Sequence, residues 1–346
     1  MIKSTRKLAK LTKVIFTAAS TSALLLAATP AQAYTMVILT NQPSTAKAQE
    51  IRAMLGTIAP FKHLKPGEFK VEIQSIDTDR EGIRCSSLSV KMSDQERESL
   101  KVWSKANRIC LSDAEIKAYK TGYTIKRNID CDRPKLASIG ARYGADATLF
   151  VLDHEGSGGS GGDVPILYTG SSTTVAIHEY LHSFGMADEY AYGRSEAPAF
   201  CRQPTWPNVG IFEERGPYRD NADIIRQHGS QIAWLTELGA NPDLSHQGKL
   251  GTSYFGQLGL YPSKTCDQIS MKSWKATPFP TIMEDVYTKW IPKTMWRTIL
   301  KGVHVSTARL AEIMKKPEDT MKDRLLVRPK IEVKKVIFAS GTKPKC

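Results

Sequence analysis

After its first 33 residues the chain has no apolar run approaching the roughly 20 residues that cross a bilayer, so no membrane span is expected in the mature protein. No Cys-x-x-Cys pair occurs, which argues against a cysteine-ligated zinc site and a thioredoxin-type redox centre. The glycine-rich stretch from Glu155 to Gly162 has no closing Gly-Lys-Ser/Thr, so it reads as a flexible loop and not as a cradle for nucleotide phosphates. Nor are Lys and Arg interleaved with aromatics along one element, so no nucleic-acid groove is expected. A content of 41% hydrophobic and 24% charged residues excludes wholesale disorder and a rod-like chain.

What is present begins with an export pattern. Lys3, Arg6, Lys7, Lys10 and Lys13 precede or border an apolar stretch from Val14 to Ala28 and a small-x-small site, Ala31-Gln32-Ala33. That order predicts a secretory signal peptide over residues 1–33, a mature chain starting near Tyr34, and delivery to the periplasm or the exterior. Without those five cations the formal charge of +13 falls to +8, spread over the chain as a solvated surface. The six cysteines, Cys85, Cys110, Cys131, Cys201, Cys266 and Cys346, all follow the signal, and an even number in an oxidising compartment predicts disulfides with the pairing left open.

The 346 residues suffice for one large domain or two ordinary ones. Met36 to Leu39 is a continuous apolar run and predicts a buried strand; Ser44 to Leu55 predicts a helix with Ala46, Ile51, Met54 and Leu55 as its apolar stripe. Phe69 to Gln74 alternates apolar and polar residues, as a half-buried strand does. A strand-helix-strand start places the chain in the α/β (α+β) class. Residues 77–145 read as a disulfide-pinned insertion with helices around Asp94 to Ala106 and Asp113 to Lys120. Ala147 to Leu152 and Val164 to Tyr168 return to strands, and Ser171 to Thr174 supplies caps for the helix that follows.

That helix, Thr173 to Gly185, carries the chemistry. Ile177, Tyr180, Leu181 and Phe184 give it one apolar face. His178 and His182 lie one turn apart on another face, where two neutral imidazoles can reach one zinc ion. Glu179 is placed to reach a water beside the metal, as the general base of an HExxH site. Gly185 can take the left-handed conformation that ends a helix and swings Asp188 towards the same metal. Glu189 competes with Asp188 for the third ligand position, and a thermolysin-like site would use Glu213, Glu214 or Glu237 instead. His63, His154, His228, His246 and His304 have no partner at ligand spacing.

The string HEYLHSFGMADEY, His178 to Tyr190, resembles the aspartate variant of the metzincin zinc peptidases, especially the secreted bacterial peptidases typified by the clostridial immunoglobulin A metallopeptidase. The likeness covers residues 147–190, including a glycine-rich stretch, and leaves the insertion and the C-terminal part unmatched, so no substrate carries over. It implies a catalytic domain with a twisted mixed sheet, an active-site helix and a mostly irregular or helical C-terminal subdomain. The chain then divides at 34–190 and 191–310, with an extension over 311–346. It also implies a methionine in a tight turn beneath the metal, for which Met283 in Thr281-Ile282-Met283-Glu284 is the counterpart. Some members place a tyrosine two residues later; Asp285 stands there, and Tyr287 two residues on is the remaining candidate for stabilising an oxyanion. Cys131, in Cys-Asp-Arg-Pro, is similar to the metal-blocking cysteine of some protease prosegments, against the competing expectation of a disulfide.

The expected function is an exported zinc-dependent endopeptidase acting on a protein or peptide substrate, with His178, His182 and Asp188 holding the ion and Glu179 moving the proton. The alternative is a catalytically silent surface-binding protein with a metal-stabilised fold.

Overall fold

The structure is a computed structural model that describes residues 33–41, 44–89, 126–153, 158–194, 196–203, 205–253 and 257–319. The predicted signal peptide therefore lies outside the described residues apart from Ala33, as do the helices predicted at 94–106 and 113–120 and residues 320–346.

The apolar run near Tyr34 forms strand β1 (Tyr34–Thr40), buried along its whole length. It pairs in parallel with β2 (Phe69–Ser75) on one side and β5 (Ala147–Leu152) on the other, so that Ile38 faces both Ile73 and Leu149 across the ladders. A central parallel strand must be covered on both faces, which is why its sequence is apolar without alternation. Met36 and Ile38 enter one core together with α1 (Thr45–Leu55) and the site helix α3 (Thr173–His182), while Val37 and Leu39 enter a second core with α2 (Arg133–Arg142). Helices accompany one mixed sheet, as the predicted α/β class requires.

Two expectations about these layers are revised. In α1 the buried face is Ala48, Ile51 and Leu55, with Ala46 exposed and Met54 half-buried, because the helix turns its i, i+3, i+7 row to the sheet. Helix α2 falls within the span read as an insertion, yet Leu136 and Ile139 are core residues of the α/β layer. Asp132 caps it by accepting from the Lys135 N–H at 3.1 Å, and a proline stands in its first turn.

Before it, β3 (Cys85–Ser89) and β4 (Lys126–Cys131) form an antiparallel pair in which Cys85 stands opposite Cys131 and is bonded to it. Cys131 is thus spent in a disulfide and is not a metal blocker.

The sheet runs in the order β2, β1, β5, β7 (Ile166–Tyr168), β6 (Gly159–Ser160). Its last strand is antiparallel to β7, so the edge belongs to the glycine-rich stretch and the run predicted at Val164 to Tyr168 is an interior strand.

Beyond α3 come α4 (Ala197–Cys201), β8 (Val209–Ile211), α5 (Asn221–His228), a small hairpin of β9 (Ser245–His246) and β10 (Lys249–Leu250), then β11 (Tyr261–Ser263) and β12 (Ser273–Lys275). Strands β11, β12 and β8 make an antiparallel sheet of three-residue strands, too short to show a period of two in the sequence. Trp234 and Trp274 lie in the core beside it. The chain then closes on the first core through α6 (Lys293–Gly302), with Met295, Trp296, Ile299 and Leu300, and through α7 (Thr307–Ile313). One core therefore draws on residues from both sides of the expected 190/191 boundary.

A second disulfide joins Cys201 to Cys266 across 65 residues, and no described cysteine is free; Cys110 and Cys346 lie outside the described residues. In the chain-entropy view a loop of that length stabilises the fold by about 4 kcal/mol. A Cys201→Ala/Cys266→Ala protein is expected to melt roughly 10 °C lower than the parent in calorimetry. No helix among the described residues is long and apolar enough to cross a membrane.

Candidate metal centre

Helix α3 is held by its buried face: Ile177, Tyr180 and Leu181 are all but inaccessible, and Phe184 packs on the same core half-exposed. The hydroxyls predicted to cap it do other things. Ser172 bonds to the Thr174 hydroxyl at 2.7 Å, and the Ser171 oxygen accepts from Gly158 N–H at 2.8 Å, tying the glycine-rich segment to the start of the helix. The helix ends as expected. Gly185 takes φ +78° and its N–H reaches His182 O at 2.9 Å, a turn that returns the chain beneath the histidines.

His178 and His182 are oriented from behind. His178 Nδ1 donates to Ile282 O at 2.9 Å and His182 Nδ1 to Met186 O at 2.8 Å, an assignment that leaves both Nε2 lone pairs pointing away from those carbonyls. They converge on Asp188, whose Oδ1 is 3.0 Å from His178 Nε2 and 3.3 Å from His182 Nε2. That oxygen is buried and receives no hydrogen bond. Three lone-pair atoms packed this closely repel one another unless a cation lies among them, and ligands about 2.0–2.1 Å from a tetrahedral ion stand about 3.3 Å apart. The residues fit a metal ion on that ground.

A proton is the alternative guest. Burial disfavours a charged His182, but the Asp188 carboxylate overrides it and lifts the imidazole to about 9. For Asp188, burial acts upwards and is outweighed by the closeness of both histidines, which holds the carboxyl well below its ordinary range. Proton and metal thus compete for the same atoms.

Glu179 belongs to the same cluster: His178, Glu179 and His182 could together hold a metal ion. Its Oε2 stands 4.0 Å from His182 Nε2, farther than Asp188 Oδ1 does. Burial raises its pKa, with the two histidines acting in the opposite direction.

The glycine-rich strand lies directly on these groups. A Cβ on Gly159 would stand 3.0 Å from Glu179 Cγ, and one on Gly161 would stand 2.7 Å from His182 Cδ2, closer than real Cβ contacts allow. At Gly161 a side chain would force the ring to shift, and at Gly159 Glu179 would have to give by a few tenths of an ångström. Arg133, at the first turn of α2, holds the strand there: its guanidinium donates to Val164 O at 2.8 Å, to Ser160 Oγ at 2.7 Å and to Gly161 O.

Two tyrosines surround the Asp188 carboxylate. Tyr192, 6% exposed, accepts the Asp188 N–H at 3.0 Å through its hydroxyl. Tyr190, 39% exposed, stacks its ring on His178 with centroids 6.1 Å apart and planes 15° from parallel. Both hydroxyls also interact with the carboxylate, and burial first and that negative charge second keep both as neutral phenols.

Glu189 points elsewhere. It is 1% exposed, accepts from Thr281 Oγ1 at 2.9 Å and Asn208 Nδ2 at 3.2 Å, and faces Lys275 Nζ at 3.6 Å. Its backbone N–H donates to Met283 O at 2.9 Å. The residue therefore braces the turn around Met283, a buried side chain in the first core, and the same turn supplies the Ile282 carbonyl that orients His178.

The glutamates of the thermolysin-like alternative are engaged elsewhere: Glu213 accepts from Lys272 N–H, Glu214 from Leu250 N–H, and Glu237 pairs with Arg297. Tyr287, 42% exposed, bonds through its N–H to Asp285 in its own turn and makes no described contact with the cluster. His63 meets Pro317 O, His228 meets Tyr218 OH, His304 packs on Tyr34, and His154 lies outside the described residues.

Sequence reasoning missed Arg133, Tyr190 and Tyr192 as neighbours of the site. Tyr190 stood within the motif string, but nothing in its spacing told its role. No protein-family model matches the chain and no curated protein matches it in sequence; its own structure shows a group of His178, Glu179 and His182 that could hold a metal ion, with Asp188 Oδ1 within 3.3 Å of both histidine Nε2 atoms.

Proposed function

We propose that the protein is an exported zinc-dependent endopeptidase of the metzincin type. The observation that carries this reading is the meeting of His178 Nε2, His182 Nε2 and the unbonded Asp188 Oδ1, with Glu179 beside that triangle and not in it. Two imidazoles and one carboxylate with a fourth position open suit catalytic zinc, and the additional non-ligating glutamate favours hydrolysis over the oxygen chemistry of iron on a similar donor set. The turn around Met283 takes the place of the family's methionine turn. Export accords with the two disulfides and with the signal pattern ending at Ala33.

Bound by these three atoms, zinc would polarise the scissile carbonyl and acidify a water. Glu179 then takes one proton from that water as its oxygen adds to the carbonyl carbon, and returns the proton to the amide nitrogen as the C–N bond breaks. A pKa raised by burial suits a group that must both accept and release a proton. The substrate lies extended along β6, the end strand of the sheet, where glycines leave the backbone bare next to Glu179 and His182.

The test is zinc stoichiometry on the purified mature protein together with cleavage of a broad peptide library. About one zinc per chain and cleavage abolished by a chelator are expected; a zinc-loaded protein that cleaves nothing would leave the surface-binding alternative standing. A second outcome follows from the glycines. Gly161→Ala drives a methyl group into the His182 ring, which its bond to Met186 O prevents from moving freely, so zinc affinity should fall by about 10-fold or more in chelator competition. Unchanged affinity would mean that the strand is not held against the site.

A further inference from the structure

The strand next to Glu179 and His182 cannot hold itself in place. Gly158 to Gly162, which contains β6, carries no side chain larger than that of Ser160, so nothing of its own anchors it in a core. Gly158 and Gly162 take φ +138° and +109°, which puts a glycine joint at each end. Pairing with β7 covers two residues only, Gly159 opposite Leu167 and Ser160 opposite Ile166. Other elements therefore fix its position. At one end the Ser171 hydroxyl accepts from Gly158 N–H at 2.8 Å; at the other Arg133 donates to Ser160 Oγ, Gly161 O and Val164 O. Arg133 is itself firmly seated. Cys131, bonded to Cys85, stands two residues before it, and Leu136 and Ile139 of the same helix share a core with Val164 and Ile166. Successive strand residues face opposite ways, so Ser160 turns to the guanidinium while Gly159 and Gly161 turn to Glu179 and His182. The strand is sandwiched between Arg133 and the site helix.

Resting on the peptidase reading, we infer that Arg133 is a positioning residue: through its bonds to Ser160, Gly161 and Val164 it fixes β6 where the main chain of an extended substrate can pair with it beside Glu179. Arg133 acts through the strand and does not itself touch the substrate. Its planar fork suits the task, since two of its three acceptors are backbone carbonyls on either side of the Gly162 joint, and a single ammonium cannot span them in the same fixed geometry. Because the strand offers glycine backbone and its one serine faces away from the site helix, the contribution of Arg133 does not depend on the sequence of the peptide bound.

The experiment compares Arg133→Met, which keeps a long stem and loses every donor, with Arg133→Lys and the parent, on several library peptides of unrelated sequence that the parent cleaves. The methionine variant is expected to hold about one zinc per chain, to keep kcat within about threefold, and to raise KM by about 10-fold, by the same factor for each peptide. The lysine variant should fall between it and the parent. Amide exchange over residues 158–168, a readout that needs no turnover, should quicken by about 10-fold in the methionine variant while residues 173–182 exchange as before. A residue that served stability alone would lower the folded fraction, and with it kcat, at unchanged KM; that result overturns the inference. A rise in KM confined to one peptide overturns it too, because the guanidinium would then meet a substrate side chain directly. So does unchanged exchange over residues 158–168, and in all three cases the peptidase reading survives. A parent protein that cleaves nothing overturns both together.

Discussion

Glu179→Ala is expected to keep about one zinc per chain and to lose roughly 10²–10⁴-fold in kcat, which corresponds to about 3–5 kcal/mol of transition-state stabilisation. The separation of metal from activity follows from geometry. The three atoms that converge belong to His178, His182 and Asp188, and each histidine is oriented by a backbone carbonyl that the substitution leaves untouched. The fold should not suffer either. Burial raises the pKa of Glu179, so its charged form is a cost to the folded state, and the melting temperature of the variant should equal or exceed that of the parent. Metal analysis, calorimetry and peptide cleavage on one preparation check all three statements. Near-normal cleavage by the zinc-loaded variant would remove Glu179 from the mechanism, and loss of the ion would make it a ligand.

The second large effect distinguishes two adjacent carboxylates by different measurements. Asp188→Ala removes an oxygen from the triangle and should weaken zinc binding by more than the roughly 10–100-fold typical of an outer-shell partner. Glu189→Ala should damage the fold instead. It leaves Lys275, 4% exposed, with Glu284 as its remaining carboxylate partner, and strips Thr281 and Asn208 of an acceptor. A loss of about 3 kcal/mol is expected, seen as a lower melting temperature. Glu189→Gln keeps one of the two accepting oxygens, for Thr281 or for Asn208 but not for both, and serves as the milder comparison; it should retain about one zinc per chain. Zinc lost from Glu189→Gln and retained by Asp188→Ala would exchange the two roles.

Much of the site was legible because its parts are close in sequence. An α-helix sets His178 and His182 on one face by its 3.6-residue period, and a glycine at φ +78° three residues later sets the direction in which Asp188 returns. The buried strand at Met36 to Leu39 could be read for a similar reason, since a strand covered on both faces has nowhere to place a polar side chain. Where local rules allowed two answers the sequence could not choose. Ala46 and Ala48 are equally good helix residues, and only the sheet beneath α1 decides which is buried.

Sequence by itself therefore determined the α/β class, the helix that carries the histidines and the motif that ends at Asp188. The tertiary structure decided the rest. It set Asp188 and not Glu189 beside the two histidines, since Asn208, Lys275 and Thr281 gather around the latter from distant parts of the chain. It set Tyr190 on His178 and left Tyr287 in its own turn. It placed the glycine-rich edge against Glu179 and His182, clamped by Arg133 from another helix. The physical reason is range: helix periodicity and glycine turns act within a few residues, whereas the bond that orients His178 spans 104 residues and exists only because one packed core holds Ile177 and Ile282 together.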